Sequence, residues 1–273
     1  MTATPAPTGI SPLLIEEING CAEDIARLLG PGTDAGAAIP GALWSVGEAA
    51  AHLALANQLM AELAQGVERP YGDGTPGSLA EANARSLADY GERDPAVLAG
   101  VIVEQARAYG EAAVRNPGAG PMTSPLGPMD MAVLGSYLLT HMLGHGYDLA
   151  RALKRPHMID ARRVGLAMPF LLTAMPRVLN ADAAAGHRAG YAIGLRGGER
   201  FGERFGVTIA DGAAVVGQVP ERPDCVIVCE PVTFFLMALG RRGPWAALAR
   251  GGVVARGRKP WLAPGFTRYF TAP

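Results

Sequence analysis

Apolar residues in the first 158 positions recur at helical spacing through long Ala-rich stretches separated by Pro/Gly loops; beyond about residue 188 they shorten into β-branched runs between Gly-rich turns. The spacing predicts a first helix over about 11–29, stopped by Gly30-Pro31-Gly32. A second runs over about 45–65, where the Ser45 hydroxyl caps free amides and Glu48, three residues on, completes a capping box. Ser78 and Glu81 repeat that signature at the head of a third helix reaching about Arg115, and after a loop over 116–128 a fourth spans about 129–154, ahead of Pro156. Loops of this length let the helices pack as a four-helix bundle over 11–158, with 1–10 a flexible tail. In 159–273, the runs 194–198, 207–212 and 225–228 read as strands and 231–241 as a helix. The fold class is therefore α plus α+β, a helical bundle followed by a smaller α/β domain.

Composition narrows the partners. The chain has 273 residues, 49% of them apolar, enough for two cores, and a formal charge of −1. Without a concentrated basic surface, a generic grip on nucleic acid or an anionic membrane is not expected. The N-terminus lacks the basic and apolar regions of a secretion signal, and Pro169, Pro176, Glu230 and Pro231 break the longest apolar runs, so a soluble cytoplasmic protein is expected. Cys225 and Cys229 share one face of a strand yet lie roughly 13 Å apart at ~3.3 Å per residue, so packing rather than a disulfide is expected of them.

The chemistry lies in the histidines. His141 and His145 stand four apart in Thr140-His141-Met142-Leu143-Gly144-His145-Gly146-Tyr147-Asp148, one helical turn on one face. His52, two turns into the second helix, completes a facial set from a second element, as bundles build metal sites. Such a pair alone reads equally as two core histidines with satisfied hydrogen bonds. Three imidazoles suit a divalent metal and leave coordination positions open. Asp148 either accepts the second N–H of a ligand imidazole or pairs with Arg151 on the helix surface. His157 and His187 show no such partnering and read as ordinary surface residues.

Trp44-Ser45-Val46-Gly47-Glu48-Ala49-Ala50-Ala51-His52-Leu53, with His145-Gly146-Tyr147-Asp148-Leu149-Ala150-Arg151-Ala152 far downstream, resembles the N-terminal domain of mycothiol-dependent maleylpyruvate isomerases, within the DinB-like metalloenzyme superfamily. The strands and helix of the C-terminal part resemble the small domain, related to sterol carrier protein type 2, that follows the bundle in that family. The resemblance implies a four-helix bundle holding a divalent metal, usually zinc, through His52, His141 and His145, and mycothiol as thiol cosubstrate. The isomerase pattern has glutamate where this chain has His141, so the ligand set becomes three histidines instead of two and a carboxylate.

A divalent ion among neutral imidazoles keeps its full charge and lowers the pKa of a bound thiol. The reading that follows is a zinc-dependent, mycothiol-using S-transferase or isomerase acting on an electrophilic small molecule. Two other classes stay open: a hydrolase using metal-bound water, and a non-catalytic carrier using an apolar groove of the C-terminal domain.

Overall fold

The computed structural model describes residues 9–197 and 204–271. Residues 1–8 of the expected tail and Gly198 of the first expected strand lie outside them. Two compact units divide the chain, Met1–Met158 and Ile159–Pro273.

The first unit is helical: α1 Pro12–Leu28, α2 Val46–Ala64, α3 Leu79–Asp89, α4 Pro95–Arg115 and α5 Met131–Ala152. Four long helices form the bundle, α1 packing on α4 and α5, and α2 on the same two, so α2 and α5 are neighbours. The capping box expected at Ser45 forms, and Ser11 caps α1 as well. Ser11 accepts from the Leu14 amide, and Ser45 and Glu48 close a reciprocal box at the head of α2. Close approach is also sequence-encoded: a Cβ on Gly47 would sit 2.9 Å from the Arg93 carbonyl, and one on Gly146 would meet Met158 Sδ at 2.9 Å and Ile25 at 3.2 Å. A larger residue beside His145 would push α5 off α1.

The expected third helix over 78–115 is two helices. Asp94 caps α4 by accepting from the Ala96 and Val97 amides, with Pro95 in the first turn, and the chain turns through Tyr90–Asp94. The Ser78–Glu81 box does not form either. Ser78 Oγ accepts from the Asp73 amide and donates to the Thr75 carbonyl, so it serves the preceding loop. The connection before α5 carries a small antiparallel hairpin, β1 Met122–Ser124 and β2 Gly127–Met129.

The second unit opens with α6 Ala161–Ala174 and the short α7 Ala181–Ala184, both beyond the sequence reading. Then come β3 Ala189–Leu195, β4 Arg204–Ala210, β5 Ala213–Gly217, β6 Cys225–Cys229, α8 Pro231–Ala238, α9 Pro244–Ala249 and β7 Val253–Arg256, and a 3₁₀ segment Pro260–Tyr269. The sheet runs β5-β4-β3-β6-β7, antiparallel except for the β3–β6 pair. Asp211 and Gly212, both at positive φ, make the two-residue turn that joins β4 to β5. Cys225, Ile227 and Cys229 alternate inward along β6, and Phe205 meets Phe234 of α8 at 6.0 Å in the core beneath. The chain is thus a helical N-terminal unit followed by a sheet-based C-terminal one. Among the described residues, no helix is long and apolar enough to cross a membrane.

Candidate metal centre

His52 lies on the buried side of α2, two turns from the Ser45 cap, and His141 and His145 one turn apart on α5. Because α2 and α5 are neighbours in the bundle, the three rings meet in a nearly equilateral triangle. The centroids are 4.9 Å apart for His52–His141, 4.9 Å for His52–His145 and 4.6 Å for His141–His145. One ligand nitrogen from each lies within 4.8 Å of the others. His52 Nε2 and His141 Nε2 are 2.9 Å apart, so one ring donates and the other accepts.

The donor set fits a divalent ion. Metal–nitrogen bonds of roughly 2.0–2.1 Å in a tetrahedron space the nitrogens ~3.3 Å apart, within small ring movements of the spacing found. Burial works in the same direction. His52 is 5% exposed, and loss of solvent lowers its pKa to about 4, so near neutrality the ring is uncharged with a lone pair to give. Three protein donors leave coordination positions for a small molecule.

Two further side chains shape the cluster. Asp148 Oδ2 lies 3.8 Å from His145 Nδ1, near the ring but beyond hydrogen-bond length. Arg151, its other expected partner, lies over the Tyr147 ring. Trp44, just ahead of the Ser45 cap, places its ring 4.8 Å from His52 and 5.9 Å from His145. Sequence reasoning did not assign Trp44 to the site, although its position one residue before a cap that aims a histidine inward is the signal that finds it. Tyr137, a turn before His141, meets that ring edge-on at 6.4 Å.

The other histidines do not join. His157 is exposed beside Tyr147 at 5.3 Å. His187 is not an ordinary surface residue: its Nε2 lies 2.8 Å from the Tyr191 hydroxyl and its Nδ1 3.1 Å from that of Tyr269, on which it stacks. Cys21 is buried in α1, and Cys225 and Cys229 are buried in β6, where loss of solvent pushes their thiols up to about 11 and about 12.

No protein-family model and no curated protein matches the chain. Among solved structures, a histidine-to-alanine mutant of the mycothiol-dependent maleylpyruvate isomerase aligns at a TM-score of 0.50 and 12% identity, covering 89% of this chain and 91% of that one. The unmutated isomerase aligns over the same shares at 0.48 and 13%. A conserved hypothetical protein of Thermus thermophilus, described as possibly a sterol carrier protein, aligns at 0.29 and 25% identity over 36% of this chain and 78% of its own. The sec-alkylsulfatase Pisa1 from Pseudomonas sp. aligns at 0.33 and 15% over 53% of this chain, which spans 25% of that enzyme's length. At these identities the likeness to the isomerase is a likeness of fold, a helical N-terminal part followed by a sheet.

Proposed function

We propose that this protein is a zinc enzyme in which a small-molecule thiol, mycothiol, attacks an electrophilic small molecule, as an S-transferase or as an isomerase of the maleylpyruvate type. In this reading residues 11–158 are a metal-binding domain, with His52, His141 and His145 as the ligands, and 159–273 a smaller sterol-carrier-like domain. The observation that carries the reading is the convergence of three imidazoles from two helices, each ligand nitrogen within 4.8 Å of the others. The fold shared with an isomerase described as mycothiol-dependent supports the choice of thiol.

When bound, a divalent ion among neutral ligands supplies a positive charge that brings a thiol's ionisation toward neutral pH. The chain's own groups prepare that position. Burial holds His52 uncharged, so protons do not compete with the metal for its lone pair. Asp148, near His145 Nδ1, favours the tautomer that keeps the N–H there and leaves the lone pair on Nε2. Trp44 covers His52 and His145 and removes water from that side. The protein's own cysteines do not serve as nucleophile, since all three are buried and both β6 thiols ionise far above neutrality.

Turnover should therefore require added mycothiol, and should persist when Cys21, Cys225 and Cys229 are all changed to serine. The check is a substrate assay in thiol-free and mycothiol-containing buffer. Full activity without any thiol, inhibited when thiol is added, would mark a hydrolase and end this reading.

A further inference from the structure

One turn along α2 from His52, Leu55 enters the wall of a cleft of about 390 Å³ enclosed by α2, α3 and the connection 66–78. The wall is polar, but its charges are already matched. Arg69 pairs with Glu62 at 2.8 Å and Arg85 with Glu81, while the Asp89 carboxylate stands on the same wall. A free anion entering here competes with carboxylates for both guanidinium groups. A neutral ligand rich in hydroxyls does not, because each hydroxyl accepts from a guanidinium and donates to a carboxylate at once.

The wall is also rigid where such a ligand needs an apolar face. The Tyr71 hydroxyl donates to Asn83 Oδ1 at 2.7 Å, fixing its ring, and Tyr90 closes the end of α3 beside it. Gly72, at a φ of 66°, folds the connection back so that Ser78 Oγ accepts from the Asp73 amide at 3.0 Å. The fixed Tyr71 ring, with Tyr90 beside it amid paired donors and acceptors, matches the alternating C–H and O–H faces of a sugar. The cleft lies one helical turn from the histidine cluster along α2, where Leu55 of its wall follows His52 by three residues.

We infer that this cleft binds a neutral polyhydroxylated group, the sugar portion of the thiol, with the sulfur end directed toward His52, His141 and His145. The inference rests on the thiol reading for the identity of the ligand, and on the cleft alone for its chemical class.

The test is calorimetric titration of the full chain, zinc-loaded, with mycothiol and separately with its thiol-free portion, N-acetylglucosaminyl-inositol. Arg85→Ala and Asp89→Ala lie on the exposed face of α3, and circular dichroism checks that they fold. The wild type should bind both probes, and each variant should weaken both by at least ~10-fold, the scale of a lost charge-assisted hydrogen bond, at unchanged zinc content. His52→Ala should still bind the thiol-free probe. Mycothiol binding without any binding of the thiol-free probe, or equal binding by all variants, overturns the cleft assignment and leaves the thiol reading standing. Inorganic phosphate displacing the probe in an Arg85-dependent manner marks an anion site and also overturns it. If the thiol-free probe binds as expected and mycothiol does not, the thiol reading falls and the cleft stands; if neither binds, both fall.

Discussion

Each of the two units holds histidine in packed surroundings, three rings in one and a single half-buried ring in the other, and they use the imidazole in opposite ways. In the helical unit three rings from α2 and α5 face one another, and the hydrogen bond at their centre joins two of the rings, His52 and His141. In the sheet unit a single ring, His187, has both nitrogens taken by phenols, Tyr191 at 2.8 Å and Tyr269 at 3.1 Å, and Arg268 donates to the Tyr269 hydroxyl at 3.1 Å. The first arrangement turns lone pairs toward a common point and suits a cation. The second spends one nitrogen's lone pair and the other's N–H on two phenol oxygens, and pins the 3₁₀ segment near the C-terminus to β3. What a histidine does is set by what faces its nitrogens, and sequence spacing reports that only when the partners share a helix.

The largest expected effect separates the two clusters. Zinc should raise the melting temperature of the wild type, because a ligand bound to the native state adds ~2.7 kcal/mol at a hundred times its dissociation constant. His52→Ala and His145→Ala should lose that rise in a thermal-shift titration, while His187→Ala keeps it. His141→Glu, which replaces one imidazole donor with a carboxylate donor, should keep it too. A rise undiminished in His52→Ala would break the comparison.

His187→Ala should instead act on stability alone. It strands the buried Tyr191 hydroxyl, at a cost of ~1–3 kcal/mol in a denaturant titration. Burial, with Arg268 and Lys259 nearby, lowers the His187 pKa below its ordinary value. The folded state therefore binds its proton less readily than the unfolded one. The contribution is fully present above the ordinary histidine value of about 6.5 and is lost as pH falls through the window below it. The stability difference between wild type and His187→Ala, measured from pH 8 to pH 5, should accordingly shrink as the solution is acidified. A difference that grows toward acid would contradict the hydrogen-bond roles given to the ring.

The smallest effect contrasts two serines that look alike in sequence. Ser45→Ala breaks a formed capping box and should cost ~1 kcal/mol of unfolding free energy. Ser78→Ala touches only the preceding loop and should cost less than about half of that.

That pair also shows where the sequence was legible. The cap at Ser45 was readable because the polar residue, the acid three on and the apolar run all agreed, and α2 begins there. At Ser78 the same letters misled, since Asp94-Pro95 held the stronger start signal and splits the expected helix in two. The hairpin over 122–129 has strands of three residues, too short for an alternation to register. The spacing of His141 and His145 was local and readable, and His52 was readable once two helices were expected to face. Trp44 over the rings, and the partnership of His187 with Tyr269 across 82 residues, are tertiary and leave no periodic trace.

Elemental analysis of zinc-loaded, exhaustively dialysed protein tests the central claim most directly. The wild type, His157→Ala and His187→Ala should each retain about one equivalent of metal per chain, and His52→Ala, His141→Ala and His145→Ala should fall toward zero. Equal metal retention across all six proteins would mean that His52, His141 and His145 do not form the metal site.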